Sequence, residues 1–316
     1  MTIVLATDDC FAQHCAVTMR SVLEFNKDVE FYILTEGLTE ENQQKLRNVA
    51  ELPPFKGGMG RVFFCKGDSE ALMGFPMPDV KTEKISIATY YRLFITQLLP
   101  ASVGKVLYLD CDLVVRGSLS ELWETDMTGK ALAAVHYPDC PTMTKNCMRL
   151  GLNPSPKGGG QEGGSGYFNA GVLLMNLDFW RTHNLPQRYF DFIAEGKYPL
   201  RQRDQDVLNA VTGAETASLP WKYNVMGNEL ETIKEIVEGE QLEYVKSLEK
   251  VDPVIVHFSF RLKPWEFGCR NPYKKDYRRT LKCTPYKGAS LQFSWTDFYE
   301  FWVKPAIIAP ILKRIK

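Results

Sequence analysis

The sequence predicts an α/β fold, an open sheet with crossover helices, and three observations lead there. Short β-rich apolar runs alternate with helically spaced apolar residues through the first hundred positions, which is the pattern of strands joined by helices. The run Lys105-Val106-Leu107-Tyr108-Leu109 is apolar enough to be buried on both faces, as a central strand must be. With 316 residues, 45% of the chain hydrophobic and 24% charged, it can bury a sizeable core, and disorder or a fibrous repeat is not called for.

The elements follow in order. Ile3 to Ala6, Glu30 to Leu34 and Arg61 to Cys65 read as strands. Between the first two, Cys15, Ala16, Met19, Val22 and Leu23 recur at helical spacing, and Thr39 to Ala50 forms a second helix opened by a threonine cap. A longer helix runs from about Ser86 to Leu98 and stops before Pro100, because a proline cannot continue it. Lys105 to Leu109, Leu132 to Val135 and Tyr167 to Met175 supply further strands, the last preceded by a loop with six glycines between 158 and 166.

Within that loop Gly158-Gly159-Gly160-Gln161-Glu162-Gly163 fits a dinucleotide-binding fingerprint in its letters. The fingerprint, however, must follow a strand and open a helix. Here it follows Asn153-Pro154-Ser155-Pro156 and leads into a strand, so a lid or a plain surface loop is the expectation. After about residue 225 come a charged helix, a short strand at Val254 to Phe258 and a basic, aromatic region.

Charge and cysteine usage exclude several classes. Lys plus Arg equals Asp plus Glu at 38 each, so there is no global field to attract nucleic acid. The eight cysteines contain no C-x-x-C pair and several lie in apolar runs such as Val62-Phe63-Phe64-Cys65, which predicts free thiols in a reducing compartment. Asp8-Asp9 interrupts the first apolar run before a signal peptide is complete, and a membrane-spanning stretch of about 18 apolar residues is missing. The expected location is cytoplasmic or peripheral.

The chemistry concentrates in two stretches. In Leu109-Asp110-Cys111-Asp112-Leu113, strand alternation would point both carboxylates to one side and Cys111 to the other. A divalent cation would relieve their repulsion, and the carboxyl end of a central strand is where open α/β sheets bind ligands. The bland alternative is that one Asp caps a turn and the other is solvated. The second stretch, His257 to Trp265, follows the strand at 254 to 256 and could offer an imidazole to a metal and the Lys263 ammonium to phosphate oxygens. That requires the fold to bring His257 beside Asp110 and Asp112.

Six motifs taken together resemble glycosyltransferase family 8, which includes the bacterial lipopolysaccharide α-galactosyltransferases and α-glucosyltransferases and, more distantly, glycogenin. They are Ala6-Thr7-Asp8-Asp9, Ile85 to Leu93, Leu107 to Asp112, Phe168-Asn169-Ala170-Gly171-Val172, Asp204-Gln205-Asp206 and His257 to Trp265. The resemblance spans residues 1 to 265 and implies a GT-A fold there, with residues 266 to 316 as a small helical and basic C-terminal extension. It implies a retaining transferase that moves galactose or glucose from UDP-galactose or UDP-glucose to a glycan or lipooligosaccharide acceptor. Mn²⁺, with Mg²⁺ as the other choice, would be held by Asp110, Asp112 and His257, two oxygen ligands and one imidazole.

By the same resemblance Asp8 would bond the uracil edge, Phe11 would lie against the ring, and Arg92 would reach the donor. Ala6, Thr7, Asp9, Leu109, Cys111 and Ala170 complete the donor-binding set, and Lys263 would join the metal at the diphosphate. Asn169 and Asp204 would hold sugar hydroxyls with Gln205 beneath the anomeric carbon. Local readings stay open beside these: a core role for Phe11, a helix-surface charge for Arg92, and helix capping for Asp204-Gln205-Asp206.

Lys84, Cys10 and Phe260 depart from the family pattern at its His, Asn and Gly positions, and His136 to Gly166 matches no motif. Alternatives are a nucleotidyltransferase that makes sugar nucleotides, opposed by the acidic Thr7-Asp8-Asp9-Cys10 loop, and a non-catalytic UDP-sugar-binding protein. The last sixteen residues carry Lys304, Lys313, Arg314 and Lys316 beside Phe301, Trp302, Ile307, Ile308, Ile311 and Leu312. This suits contact with an inner-membrane surface or, given Pro305 and Pro310, a tail docked on the domain.

Overall fold

A computed structural model describes residues 1–51, 59–67, 87–152, 164–259 and 262–293, together with positions 295, 299, 303 and 304. Its strands are β1 (Thr2–Ala6), β2 (Val29–Thr35), β3 (Gly60–Lys66), β4 (Lys105–Leu109), β5 (Leu113–Val115), β6 (Leu132–Pro138), β7 (Gly164–Asn176), β8 (Thr216–Ser218) and β9 (Ile255–His257). Seven of them form one sheet in the order β3-β2-β1-β4-β7-β6-β8, while β5 and β9 pair separately. The first four strands of that order are parallel. β7 runs against both of its neighbours, and β6 and β8 are parallel again.

Period-two alternation divides each central strand between two cores. Ile3 and Leu5, Phe31 and Ile33, and Leu107 and Leu109 feed one face, where they meet helices α1 (Ala12–Phe25) and α2 (Glu40–Glu51). Val4, Leu34, Val106 and Tyr108 feed the other, with Tyr90, Leu93, Trp180 and Tyr189. Hence Ile3 to Leu5 of β1 and Val106 to Leu109 of β4 are buried on both faces, as the sequence led us to expect for β4. The α2 cap is also present: Asn42 N–H donates to Thr39 Oγ1 at 3.3 Å, and Glu40 and Glu41 occupy the positive first turn.

Several elements differ from expectation. Ile87–Phe94 winds as a 3₁₀ helix before the short α3 (Ile95–Leu98). Its β-branched and aromatic residues favour the α-helix weakly, so the packing of Tyr90, Tyr91 and Leu93 in the second core decides the winding. Residues 120 to 212 add α4 (Ser120–Trp123), α5 (Pro141–Arg149), α6 (Leu177–Thr182), α7 (Leu185–Ala194) and α8 (Asp204–Thr212). The charged helix expected beyond 225 is two helices, α9 (Gly227–Lys234) and α10 (Gly239–Leu248), separated at Gly239, whose φ of +57° favours glycine.

In the C-terminal stretch, α11 (Lys274–Leu281) packs Tyr277 and Leu281 against Val17, Val114, Val256 and Trp265. All eight cysteines are free. Among the described residues no helix is long and apolar enough to cross a membrane. The glycine run 158–163, Lys84, Phe260 and residues 305–316 lie outside the described residues.

Burial shifts the protonation of two histidines, His14 and His136. Burial lowers His14 to about 4, with Asp112 and Lys263 acting in opposite directions, and burial alone lowers His136 to about 4. Each binds a proton more weakly folded than unfolded, so both favour the folded state above the unfolded value near 6.5. That contribution is lost as pH falls toward 4. The urea midpoint should therefore drop between pH 6.5 and 4, and His136→Phe should flatten this slope; an unchanged slope would exclude His136 as a contributor.

Candidate functional site

The site forms where the main sheet hands the chain to the small one. β4 ends at Leu109, and Asp110, Cys111 and Asp112 make the turn into β5 rather than continuing the strand. Asp110 N–H still donates to the Gly171 carbonyl at 2.9 Å, and the Asp112 carbonyl accepts from Phe258 N–H at 3.0 Å. The turn is therefore tied to β7 on one side and to the end of β9 on the other. The two carboxylates nonetheless converge while Cys111 turns away, its Sγ 3.3 Å from the Ala6 carbonyl.

β9 brings His257 to that turn, because Leu113 pairs with His257 across the small sheet. His257 Nε2 lies 3.2 Å from Asp112 Oδ1 and 3.9 Å from Asp110 Oδ2. One ligand atom from each of Asp110, Asp112 and His257 falls within 4.8 Å of the others, so the three could hold a metal ion. Lys263 completes the group, donating from Nζ to Asp112 Oδ2 at 2.7 Å and to the Phe258 carbonyl at 2.6 Å.

Electrostatics explain how these carboxylates coexist. Burial pushes Asp112 upward, but Lys263 and then His257 outweigh it and hold it well below the usual carboxylate range. Arg92 bridges the next pair: its Nη2 lies 2.9 Å from Asp110 Oδ1 and its Nε 2.9 Å from Asp204 Oδ2. Its Nη1 donates to the Ala170 carbonyl at 2.6 Å, and its guanidinium stacks over Tyr108. Burial works against the Arg92 charge, yet Asp110 and Asp204 reverse that and raise it. Asp204 is raised to about 6, chiefly by burial, against the pull of Arg92. Arg92 is thus a buried hub and not a surface charge.

The other anticipated residues are arranged around this centre. Ala6 and Thr7 close β1 beside the end of β4. Asp8 accepts the Phe11 N–H at 2.9 Å, and the half-exposed Phe11 ring meets His14 and Trp265 edge-on. Trp265 also stacks on His14 with 3.6 Å between centroids, which fastens the Lys263-Pro264-Trp265 segment to α1. Asp9 is engaged elsewhere, accepting from Thr39 N–H, Thr39 Oγ1 and Asn42 Nδ2. Asn169, Gln205, Asp110, Asp112, His257 and Lys263 line one cleft together with Tyr137, Met143, Asn146, Glu229 and Ile233.

Three supporting roles were not assigned from the sequence, although Gly171 and Asp206 stand in its motifs. Asp206, with no side-chain exposure, accepts both terminal nitrogens of Arg149, the Tyr167 hydroxyl and the Gln202 N–H. This clamps the start of α8, where Asp204 and Gln205 sit. Gly171 is confined: a Cβ there would come 2.3 Å from His257 Cε1. Asn224 is fully buried against His257. The only hint of Asn224 in the sequence is a polar residue within Trp221-Lys222-Tyr223-Asn224-Val225-Met226, and local patterning does not reveal its partner.

A Rossmann-like sheet carrying a carboxylate and imidazole cluster at its carboxyl rim defines the GT-A class of glycosyltransferase. The chain belongs to glycosyl transferase family 8, whose family profile matches residues 2–269. It is 27% identical to a lipopolysaccharide 1,2-glucosyltransferase of Escherichia coli K12 over 292 residues, 92% of this chain and 80% of that one. A lipopolysaccharide 1,3-galactosyltransferase of Salmonella typhimurium LT2 is 26% identical over 294 residues, again 92% and 80%. Among solved structures, the galactosyltransferase LgtC in complex with donor and acceptor sugar analogues superposes with a TM-score of 0.71 and 28% identity, covering 90% of this chain and 96% of that one.

The Gly171 constraint can be tested directly. Gly171→Ala should displace the His257 ring and weaken divalent-cation binding, with Mn²⁺ as the probe, roughly 10–100-fold while far-UV circular dichroism stays unchanged. Wild-type Mn²⁺ affinity in a folded variant would show that the imbalance of space at Gly171 is absorbed elsewhere.

Proposed function

We propose that this chain is a retaining hexosyltransferase, carrying galactose or glucose from a UDP-sugar to a bacterial glycan such as lipopolysaccharide core. The observation that carries the reading is the convergence of Asp110, Asp112 and His257 beside Lys263, in a chain of family 8. The glucosyltransferase and galactosyltransferase relatives support the choice of hexose and acceptor class.

Asp110, Asp112 and His257 suit a divalent cation, and oxygen with imidazole ligands favours Mn²⁺ over Mg²⁺. Once bound, the ion supplies Lewis-acid charge that offsets the departing diphosphate. Lys263 adds a fixed ammonium for the same oxygens. Ser259 lines this cleft, and its buried hydroxyl has no protein partner among the described residues, so a diphosphate oxygen would satisfy it.

Asp8 and Phe11, at the end of β1, meet the uracil, with Ala6, Thr7, Asp9, Leu109, Cys111 and Ala170 completing the donor surface. Arg92 bears on the donor by holding Asp110 and Asp204 in place. Asn169 and Asp204 meet sugar hydroxyls, and Gln205 lies under the anomeric carbon. Gln205 Oε1 accepts the Ala170 N–H at 3.0 Å. An amide is a weak nucleophile to begin with, so this favours same-face attack assisted by the leaving phosphate over double displacement. The part of the cleft lined by Tyr137, Met143, Asn146, Glu229 and Ile233 is where the acceptor enters.

The protein works in the cytoplasm at the inner membrane. The exposed Phe267, Phe293 and Trp295, which touch edge to face, support a membrane-facing C-terminal region spanning 266 to 316, beyond a catalytic region at 1 to 265.

Incubation with UDP-glucose and UDP-galactose should release UDP slowly without acceptor and only with Mn²⁺ or Mg²⁺. Asp110→Asn and Asp112→Asn should lower that rate by at least about 100-fold. Pyrophosphate exchange would point to a nucleotidyltransferase, tight binding without turnover to a sensor, and lack of UDP-sugar binding would overturn the proposal. Deleting residues 301–316 should reduce binding to anionic liposomes and spare donor hydrolysis; unchanged liposome binding would end the membrane assignment.

A further inference from the structure

One continuous hydrogen-bonded chain runs from the backbone of β7 to the imidazole of His257. It starts at Gly171, whose N–H donates to Asn169 Oδ1 at 2.9 Å. A backbone N–H can only donate, so this contact decides which end of the Asn169 amide is oxygen. The same Oδ1 accepts from Asn224 Nδ2 at 2.8 Å, which in turn presents Asn224 Oδ1 to His257 Nδ1 at 2.9 Å. A carbonyl oxygen can only accept, so Nδ1 must carry the proton. The opposite nitrogen, Nε2, faces Asp110 and Asp112 and is therefore the one available to a cation held by the cluster. The other end of the Asn169 amide is anchored as well, with Nδ2 donating to the Tyr137 hydroxyl at 2.7 Å.

We propose that Asn224 is a positioning residue for the metal site, setting the tautomer and ring orientation of His257 through a relay that begins at the Gly171 N–H. Asn224 is not among the residues that line the cleft, and it reaches the cluster through His257. It is fully buried on the turn ahead of the bridge by which Val225 joins Val256. Its backbone is therefore held against β9, and its side chain has no freedom to choose another partner. The relay also assigns Asn169 a second duty besides lining the cleft, which is to pass the polarity of the Gly171 peptide on to Asn224.

This inference rests on the metal reading of the site, and Mn²⁺ affinity measured by electron paramagnetic resonance on the full chain separates the two. Asn224→Leu removes the acceptor and should weaken Mn²⁺ binding roughly 10–100-fold, the usual cost of losing such an outer partner. In a His257→Ala background the same substitution should change the affinity by less than about twofold, since the group it acts through is gone. Asn224→Asp keeps an acceptor for Nδ1–H but loses the donor to Asn169 Oδ1, so its loss should be clearly smaller than that of Asn224→Leu, which decides the matter if the leucine variant does not fold. Wild-type affinity in Asn224→Leu, independent penalties in the double variant, or a loss in Asn224→Asp as large as in Asn224→Leu would each overturn the role of Asn224. Wild-type protein that binds no Mn²⁺ would overturn the metal reading itself.

Discussion

Three carboxylates, Asp110, Asp112 and Asp204, crowd the carboxyl rim of the sheet, and the architecture depends on the cations that face them. Arg92 spans Asp110 and Asp204 with separate nitrogens, and Lys263 pairs with Asp112. Buried charges of one sign are tolerated only when compensated at short range. The 3₁₀ helix that carries Arg92 and the loop after β9 that carries Lys263 are thus required to arrive at the same place. A single bridging guanidinium also couples the strand end holding Asp110 to the helix start holding Asp204, so the two elements share one electrostatic support.

Backbone geometry supplies the remainder. β7 runs antiparallel to β4, which sets Asn169, Ala170 and Gly171 beside the Asp110 turn. Gly171 leaves space for the His257 ring and offers its N–H to Asn169, while its carbonyl takes the Asp110 N–H. One residue without a side chain therefore serves three neighbours. On the opposite flank, the stack of His14 on Trp265 fixes the segment bearing Lys263 against α1.

Much of the fold was legible because the central strands are apolar on both faces, the first two helices carry apolar stripes, and the second opens on a threonine cap. β1 through β4, α1 and α2 follow from the residues alone. Legibility falls after Leu109. The pair β5 and β9 is formed by three-residue strands more than a hundred positions apart, and such short apolar segments do not announce their partners. The helix ahead of Pro100 was visible, but its 3₁₀ winding was not, because tertiary packing of Tyr90 and Leu93 overrides a weak local preference.

By itself the sequence singled out the residues that converge in one cluster: two acids at the end of a buried strand, a histidine leaving another strand, and a lysine followed by Pro264-Trp265. Residue types and their spacing are local properties, and motif order carries them. Only the tertiary structure decided that Arg92 is a buried bridge, that Asp9 belongs to the α2 cap, and that Asn224 stands behind His257. Those facts concern which groups meet after the chain has crossed between two sheets, and hydrogen-bond direction and charge compensation acquire meaning only when the partner is in place.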